Sequence, residues 1–252
     1  MELLPLFLFT LLGGLGAGTY VAETFLQKER DESKPWLVPL IAVLVFAVGT
    51  VAATFHVSNI ERIFTAQVNF GAGMVMEIAV AGCFLILVLA DLVVTATRKG
   101  SPYALRVVTA VVGLVSIITM GAAYVDVYGV EVWTDAPATL LVFLGGALAM
   151  GVALLALVSS ASYADPKVKG YHIATEAVLA IGLLLQIVSF AAGGLNIALL
   201  VAGLVLAPVA SIALAFPAAK GKGKGLPALI CVCVLVGVAL MRWAFYAACM
   251  LF

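Results

Sequence analysis

Charged residues are scarce in this chain, and long polar segments are absent. Only 10% of the 252 residues are charged, against about 25% in soluble globular domains. By contrast, 65% are hydrophobic and the mean hydropathy is +1.23. The polar stretches between the apolar runs are loop-sized, so a separate soluble domain is not expected. The composition predicts one integral membrane domain over residues 1–252.

Several classes of site and partner are also missing from the sequence. The formal net charge is zero, which gives no electrostatic footprint for a nucleic acid. The four cysteines lie within apolar runs and form no CxxC motif, so neither a disulfide framework nor a metal site is expected. His56 and His172 are the only histidines, and the topology below puts them about 30 Å apart on opposite faces of a bilayer. They cannot share one haem iron, and no haem is expected.

Apolar runs long enough to cross a bilayer are what the chain has in abundance. A span needs about 20 residues, and its backbone must satisfy its own hydrogen bonds, which makes each span a helix. The sequence therefore predicts an all-α integral membrane protein with eight transmembrane helices. The predicted spans are 3–25, 36–55, 70–96, 103–127, 137–158, 171–191, 195–216 and 226–250. Four glycines in the first span (Gly13, Gly14, Gly16 and Gly18) predict close helix packing rather than a phosphate loop.

Basic residues are distributed asymmetrically between the connecting segments. Eleven of the 13 Lys and Arg lie in or beside the connections that follow spans one, three, five and seven. The positive-inside rule puts these connections in the cytoplasm and both termini on the outer, periplasmic side of the inner membrane.

A few ionisable residues are predicted to lie in the outer half of this membrane. His56 ends the second span, Arg62 lies in the short connection after it, Glu77 lies within the third span and Arg242 within the eighth. Such residues are costly in a bilayer and are functional candidates by default. A structural ion pair with an interfacial histidine is the alternative. Glu23, Asp91 and Glu176 fall near cytoplasmic helix ends and are interpreted as structural.

Two short motifs resemble those of the DmsC-type membrane anchors of dimethyl sulfoxide reductase and related molybdenum oxidoreductases. His56, Arg62, Asn69, Gly71-Ala72 and Glu77 resemble the family's H-x-G-x-x-R…N-x-G-A…E stretch. The run from Arg242 to Tyr246 resembles its R-x-x-F-Y in the last helix. Ser58 and Ile60 depart from the family's usual glycine and proline.

The resemblance implies a non-catalytic membrane subunit that oxidises menaquinol within a three-part complex. An iron–sulfur subunit and a molybdopterin catalytic subunit would carry the metal cofactors. His56 and Glu77 would accept protons from the quinol, and Arg62, Asn69, Arg242 and Tyr246 would support its binding. A small-solute transporter or channel, gated by the same polar cluster, is the alternative function.

Overall fold

The computed structural model describes residues 3–30, 33–55, 73–98, 100–125, 127, 129–159, 161–223 and 225–250. These residues form ten α-helices, one π-helical turn and a terminal 3-10 turn, and they contain no strand. The α-helices are α1 (Leu3–Leu26), α2 (Leu37–Thr54), α3 (Gly73–Arg98), α4 (Tyr103–Val125), α5 (Glu131–Thr134), α6 (Ala136–Val158), α7 (Pro166–Ala192), α8 (Ala198–Leu204), α9 (Ser211–Ala219) and α10 (Leu226–Ala247). The π-helical turn, Val205–Ala210, joins α8 to α9.

The prediction of eight spanning helices is confirmed for the described residues. Eight helical segments are long and apolar enough to cross a membrane, with α8, the π-helical turn and α9 counting as one continuous segment. The sixth spanning helix, α7, starts at Pro166, five residues before its predicted start at 171. Asp165 caps it by accepting a hydrogen bond from the Lys167 backbone at 2.8 Å, and proline suits the first helical position. Lys167 therefore lies in the first turn of α7 rather than in a loop.

The helices form two groups that meet along α1 and α6. Helices α1 to α4 pack on one another in the first group, while α6 to α10 form the second. In both α1 and α6, 67% of the most apolar stretch is buried, which is the largest share among the eight spanning segments. The core of the protein therefore lies where these two helices cross.

Glycines allow α1 and α6 to approach at backbone contact. A Cβ added to Gly18 would lie 2.0 Å from the carbonyl oxygen of Ala147, and one added to Gly151 would lie 2.1 Å from the carbonyl carbon of Gly18. On another face of α1, a Cβ at Gly16 would meet the Ala42 carbonyl oxygen of α2 at 2.9 Å. The predicted role of the glycines of α1 in close packing is confirmed.

Connecting segments that carry most of the basic residues converge at one end of the molecule, here called the basic end. Gln27 donates to Ser159 at 3.4 Å, and Arg30 donates to Ser101 at 3.3 Å. Lys169 lies over the ring of Phe216, with its Nζ 5.8 Å from the ring centroid. The two hydrogen bonds join the connections after spans one, three and five, and the Lys169–Phe216 contact joins the start of α7 to α9, whose end precedes the connection after span seven. The chain therefore alternates between two ends as predicted.

A buried ion-pair network fixes the first helix group at the basic end. The guanidinium of Arg30 lies 2.8 Å from Glu23 of α1 and 2.7 Å from Asp91 of α3, and its side chain is only 5% exposed. Burial opposes the charge of Arg30, but the two carboxylates outweigh this effect and raise its pKa above the usual range. The structural interpretation of Glu23 and Asp91 is thus supported by their shared cation.

Arg106 of α4 adds hydrogen bonds to this network just beyond the end of α1. Its guanidinium donates to the backbone carbonyls of Gln27 at 2.7 Å and Lys28 at 2.9 Å. These carbonyls follow the last turn of α1, where the helix has no further backbone donors to offer. Arg106 therefore acts as a side-chain cap that ties α4 to the end of α1.

Candidate functional site

Three of the six predicted site residues lie in the described part of the chain. Glu77 is on the first turns of α3, and Arg242 and Tyr246 are one turn apart near the end of α10. His56, Arg62 and Asn69 lie outside the described residues. The described part of the site therefore consists of Glu77, Arg242, Tyr246 and the side chains around them.

An aromatic cluster fills the end of the molecule opposite to the basic end. Tyr124 of α4 lies at its centre, with ring centroids 5.3 to 5.7 Å from those of four other residues. Ring pairs at this distance, in edge-to-face or offset arrangements, stabilise each other beyond simple burial. The members of this aromatic cluster are Tyr124, Trp133, Phe143, Phe245 and Tyr246.

Hydrogen bonds fix two members of the aromatic cluster, Trp133 and Tyr246. Trp133, on the short helix α5, stacks on Phe245 at 5.1 Å and donates its Nε1–H to the Phe245 carbonyl at 2.7 Å. The Tyr246 hydroxyl lies 3.0 Å from that of Thr10 on α1. The cluster thus connects α1, α4, α5, α6 and α10 into one rigid wall.

Arg242 is buried against this wall, and no carboxylate in the described part of the chain forms an ion pair with it. It is 1% exposed, and its guanidinium carbon lies 3.3 Å from the centroid of the Phe143 ring. Nη2 makes a 3.4 Å hydrogen bond to the Phe143 carbonyl, but Nε and Nη1 have no partner among the described residues. A desolvated cation over an aromatic face gains about 2 kcal/mol, yet each unpaired donor costs about 1–3 kcal/mol.

Glu77 contributes an unpaired acid to the same end of the molecule. Its Oε1 is buried without a hydrogen-bond partner in the described part of the chain. Tyr124 and Tyr246 lie within electrostatic range of both Glu77 and Arg242. Glu77 and Arg242 therefore lie near the same two tyrosines. No ion pair joins Glu77 to Arg242 within the described residues.

Sequence reasoning missed Trp133, Phe143 and Thr10 as parts of this end of the molecule. Trp133 was the one with a visible signal, since it is a tryptophan in an otherwise acidic connection between two spans. Phe143 and Thr10 are an ordinary phenylalanine and threonine within apolar helices. Only the packing of α1 and α6 against α10 brings them to Tyr246 and Arg242.

Comparison with known proteins identifies the family. No curated protein matches the chain. The family model for DmsC, the DMSO reductase anchor subunit, matches residues 1–199, a range that includes Glu77 and ends before Arg242. Together with the eight apolar helices, this match makes the chain a multi-pass membrane protein. The chain belongs to the DmsC family of DMSO reductase anchor subunits.

Proposed function

We propose that this anchor oxidises menaquinol at the aromatic cluster and passes the electrons to an iron–sulfur partner subunit. Membership of the DmsC family makes the chain the membrane anchor of a DMSO reductase-type complex. The proposal adds that the anchor takes part in the reaction. In it, the iron–sulfur subunit passes the electrons on to a molybdopterin catalytic subunit, and the complex resides in the inner membrane.

The unpaired groups of Arg242 and Glu77 are the observation that carries this proposal. Buried polar atoms in native proteins almost always have partners. Among the described residues, Nε and Nη1 of buried Arg242 and the buried Oε1 of Glu77 have no partner, and both side chains lie within electrostatic range of Tyr124 and Tyr246. A quinol has a flat apolar ring and two hydroxyl groups, so its ring suits an aromatic wall and its oxygens suit these two side chains.

The chemistry of quinol oxidation assigns a task to each group. Two protons and two electrons must leave the quinol, and a positioned carboxylate is a suitable general base for the first proton. Glu77 takes that proton. Arg242 donates hydrogen bonds to an oxygen of the ring and stabilises the negative charge that develops as the proton leaves. Tyr246 orients the ring, and its own hydroxyl is held by Thr10.

The remaining predicted residues fit the same scheme. The proposal gives His56 the second proton, because an imidazole titrates near neutral pH and can pass the proton on. It makes Arg62 and Asn69 polar support for the quinol from the segment that precedes α3. With the site near the outer surface, protons and electrons leave on the same side. Turnover then builds no membrane potential by itself.

The test is the pair Glu77→Gln and Arg242→Gln in the assembled complex. Loss of a general base typically lowers the rate by 10²- to 10⁴-fold, and we expect a loss of about 10²-fold or more in quinol-dependent turnover for Glu77→Gln. A soluble dye that reduces the iron–sulfur partner directly bypasses the anchor. Dye-dependent turnover should therefore stay at the wild-type level in both variants.

The matched control is Glu131→Gln, which removes an exposed acid from the same end of the molecule. It should keep both activities. A Glu77→Gln complex that still oxidises quinol at the wild-type rate contradicts the proposed role of Glu77. A parallel loss of dye-dependent turnover would show failed assembly instead.

A further inference from the structure

A second set of unpaired polar groups lies in the other helix group, far from the aromatic cluster. His172 and Glu176 are one turn apart on the buried face of α7, and both are 0% exposed. They lie near the start of α7, at the basic end, whereas Arg242 and Glu77 lie at the opposite end. The proposed quinol chemistry does not use them.

The His172 ring is enclosed, and neither of its nitrogens has a hydrogen-bond partner among the described residues. Tyr163 covers it edge-to-face at 5.3 Å between ring centroids. The ring lies near the backbone of Ser211, but neither Nδ1 nor Nε2 reaches hydrogen-bonding geometry with a described residue. A histidine that serves only to pack a core normally has at least one nitrogen satisfied.

Glu176 is half-satisfied in the same way. Its Oε1 accepts a hydrogen bond from the Ser211 hydroxyl at 3.0 Å, while Oε2 has no partner in the described part of the chain. No lysine or arginine forms an ion pair with it among those residues. A carboxylate so enclosed is strongly disfavoured, and a carboxyl group adopts its neutral, protonated form in such surroundings.

The backbone that brings Ser211 to Glu176 is itself unusual. Ser211 directly follows the π-helical turn that contains Pro208. Proline has no N–H and its ring crowds the preceding turn, so a wider turn relieves the conflict. Single π-helical turns inside α-helices occur often at functional sites.

The titratable and charged groups near this pair come from few elements. Helix α6 packs along α7 and has no titratable side chain over Ala136–Val158. Lys169 of α7 lies over the ring of Phe216.

Tyr163 lies in the connection before α7, and burial together with Cys231 and Glu176 raises its pKa, which keeps its hydroxyl a proton donor. The other groups are Asp165, which caps the α7 backbone, Tyr171 of α7 itself and Cys231 of α10.

We propose that Tyr163, His172, Glu176 and Ser211 form a proton-exchange site that binds water at the basic end of the second helix group. In the exchange step, the O–H bond of the Glu176 carboxylic acid breaks and an N–H bond forms on the His172 imidazole, through bound water. The products are a carboxylate and an imidazolium, and no electron moves. Ser211 and Tyr163 donate hydrogen bonds that stabilise the carboxylate and orient the water. This site is independent of the quinol proposal.

Infrared difference spectroscopy, which compares spectra of the assembled complex in its membrane at different pH values, tests the site. A protonated carboxyl gives a C=O stretching band that is distinct from carboxylate bands. We expect such a band in the wild type, its loss in Glu176→Gln, and its retention in the control Glu131→Gln, which alters an exposed acid at the other end. A band that persists unchanged in Glu176→Gln overturns the proposal.

Two further variants test the coupling and do not depend on the behaviour of Glu176→Gln. Ser211→Ala should move the band to higher frequency, because the carboxyl oxygen loses its hydrogen bond. His172→Gln should keep the band but shift the pH at which it disappears by about 1 unit, as expected for coupled sites. If Ser211→Ala leaves the frequency unchanged, Ser211 does not hydrogen-bond the carboxyl group of Glu176 and is not part of the site. If His172→Gln leaves the pH response unchanged, the two groups do not share a proton. Either result overturns the proposal.

Discussion

Arg30 neutralises two buried acids on different helices, and its removal has a predictable consequence. Arg30→Gln would leave Glu23 and Asp91 enclosed without their shared cation. Removing one partner of a buried pair typically costs about 3–5 kcal/mol. We expect a lower melting temperature and a lower yield of folded protein in mild detergent, measured by fluorescence-detected thermal unfolding.

Two comparisons separate this effect from a simple loss of charge. Lys220→Gln removes an exposed cation from the same end and should leave the melting temperature unchanged. Adding Asp91→Asn to Arg30→Gln removes one of the stranded acids and should recover part of the loss. A double variant as unstable as Arg30→Gln alone would show that the charges of Arg30 are not what holds α1 and α3 together.

Arg242 differs from Arg30 because it forms no ion pair with an acid among the described residues. A planar guanidinium stacks on Phe143, whereas the compact ammonium of lysine cannot reproduce that geometry. We expect Arg242→Lys to keep the complex assembled and to weaken quinol use by about tenfold or more, which corresponds to about 1.4 kcal/mol. Steady-state kinetics with a soluble quinol analogue measure this, and dye-dependent turnover is the control. A wild-type kcat/KM in Arg242→Lys would show that charge alone is enough.

At the scale of the helices, the crossing of α1 and α6 depends on the absence of side chains. A methyl group on Gly18 would overlap the Ala147 carbonyl oxygen. We expect Gly18→Ala to force the two helices apart and to destabilise the protein by about 1–3 kcal/mol, the usual cost of overpacking. The melting temperature of the purified chain in detergent measures this.

Gly82→Ala is the matched control, because no atom lies within 4 Å of a Cβ added there. Gly82 lies within α3, where alanine is also a better helix former than glycine. The control should therefore leave the melting temperature unchanged or raise it slightly. If Gly18→Ala behaves like Gly82→Ala, the two helix groups are not joined through this crossing.

The helices themselves were largely predictable from the sequence, and their irregular parts were not. Length and hydropathy identify a spanning helix because the bilayer imposes both. The early start of α7 was missed because Pro166, Lys167 and Lys169 lower the local hydropathy, although Asp165 before Pro166 is a recognisable start signal. The π-helical turn depends on how Pro208 is accommodated between neighbouring helices, which hydropathy does not express.

The candidate site was likewise predictable only in part. Glu77 and Arg242 stand out in the sequence because ionisable residues are rare in apolar helices. Their surroundings do not stand out, since the contacts of Arg242 with Phe143 and of Tyr246 with Thr10 join residues about 100 and 236 positions apart. Contacts of this kind follow from how the helices pack, and one sequence gives no direct signal of that packing.

At the scale of the whole molecule, the two ends differ more clearly in charge when only exposed residues are counted. Arg30 and Arg106 lie at the basic end, but their charges are engaged inside the protein. Among the described residues, the basic ones that remain exposed there are Lys28, Lys34, Arg98, Lys167, Lys220 and Lys222. At the opposite end, Glu131 is exposed and the only described basic residue is the buried Arg242. Exposed lysine and arginine near helix ends set orientation, so the basic end should face the cytoplasm.

Cysteine labelling in intact spheroplasts tests this orientation directly. Glu131→Cys should react with a membrane-impermeant maleimide added outside, and Lys222→Cys should react only after the membrane is opened. Cys249→Ser in both variants removes a partly exposed native thiol from the C-terminal end of the chain, close to the aromatic cluster residues Phe245 and Tyr246 in sequence. The reverse labelling pattern would put the aromatic cluster on the cytoplasmic side. The proposed quinol site would then release its protons inward, and the partner subunits would have to dock on the cytoplasmic face.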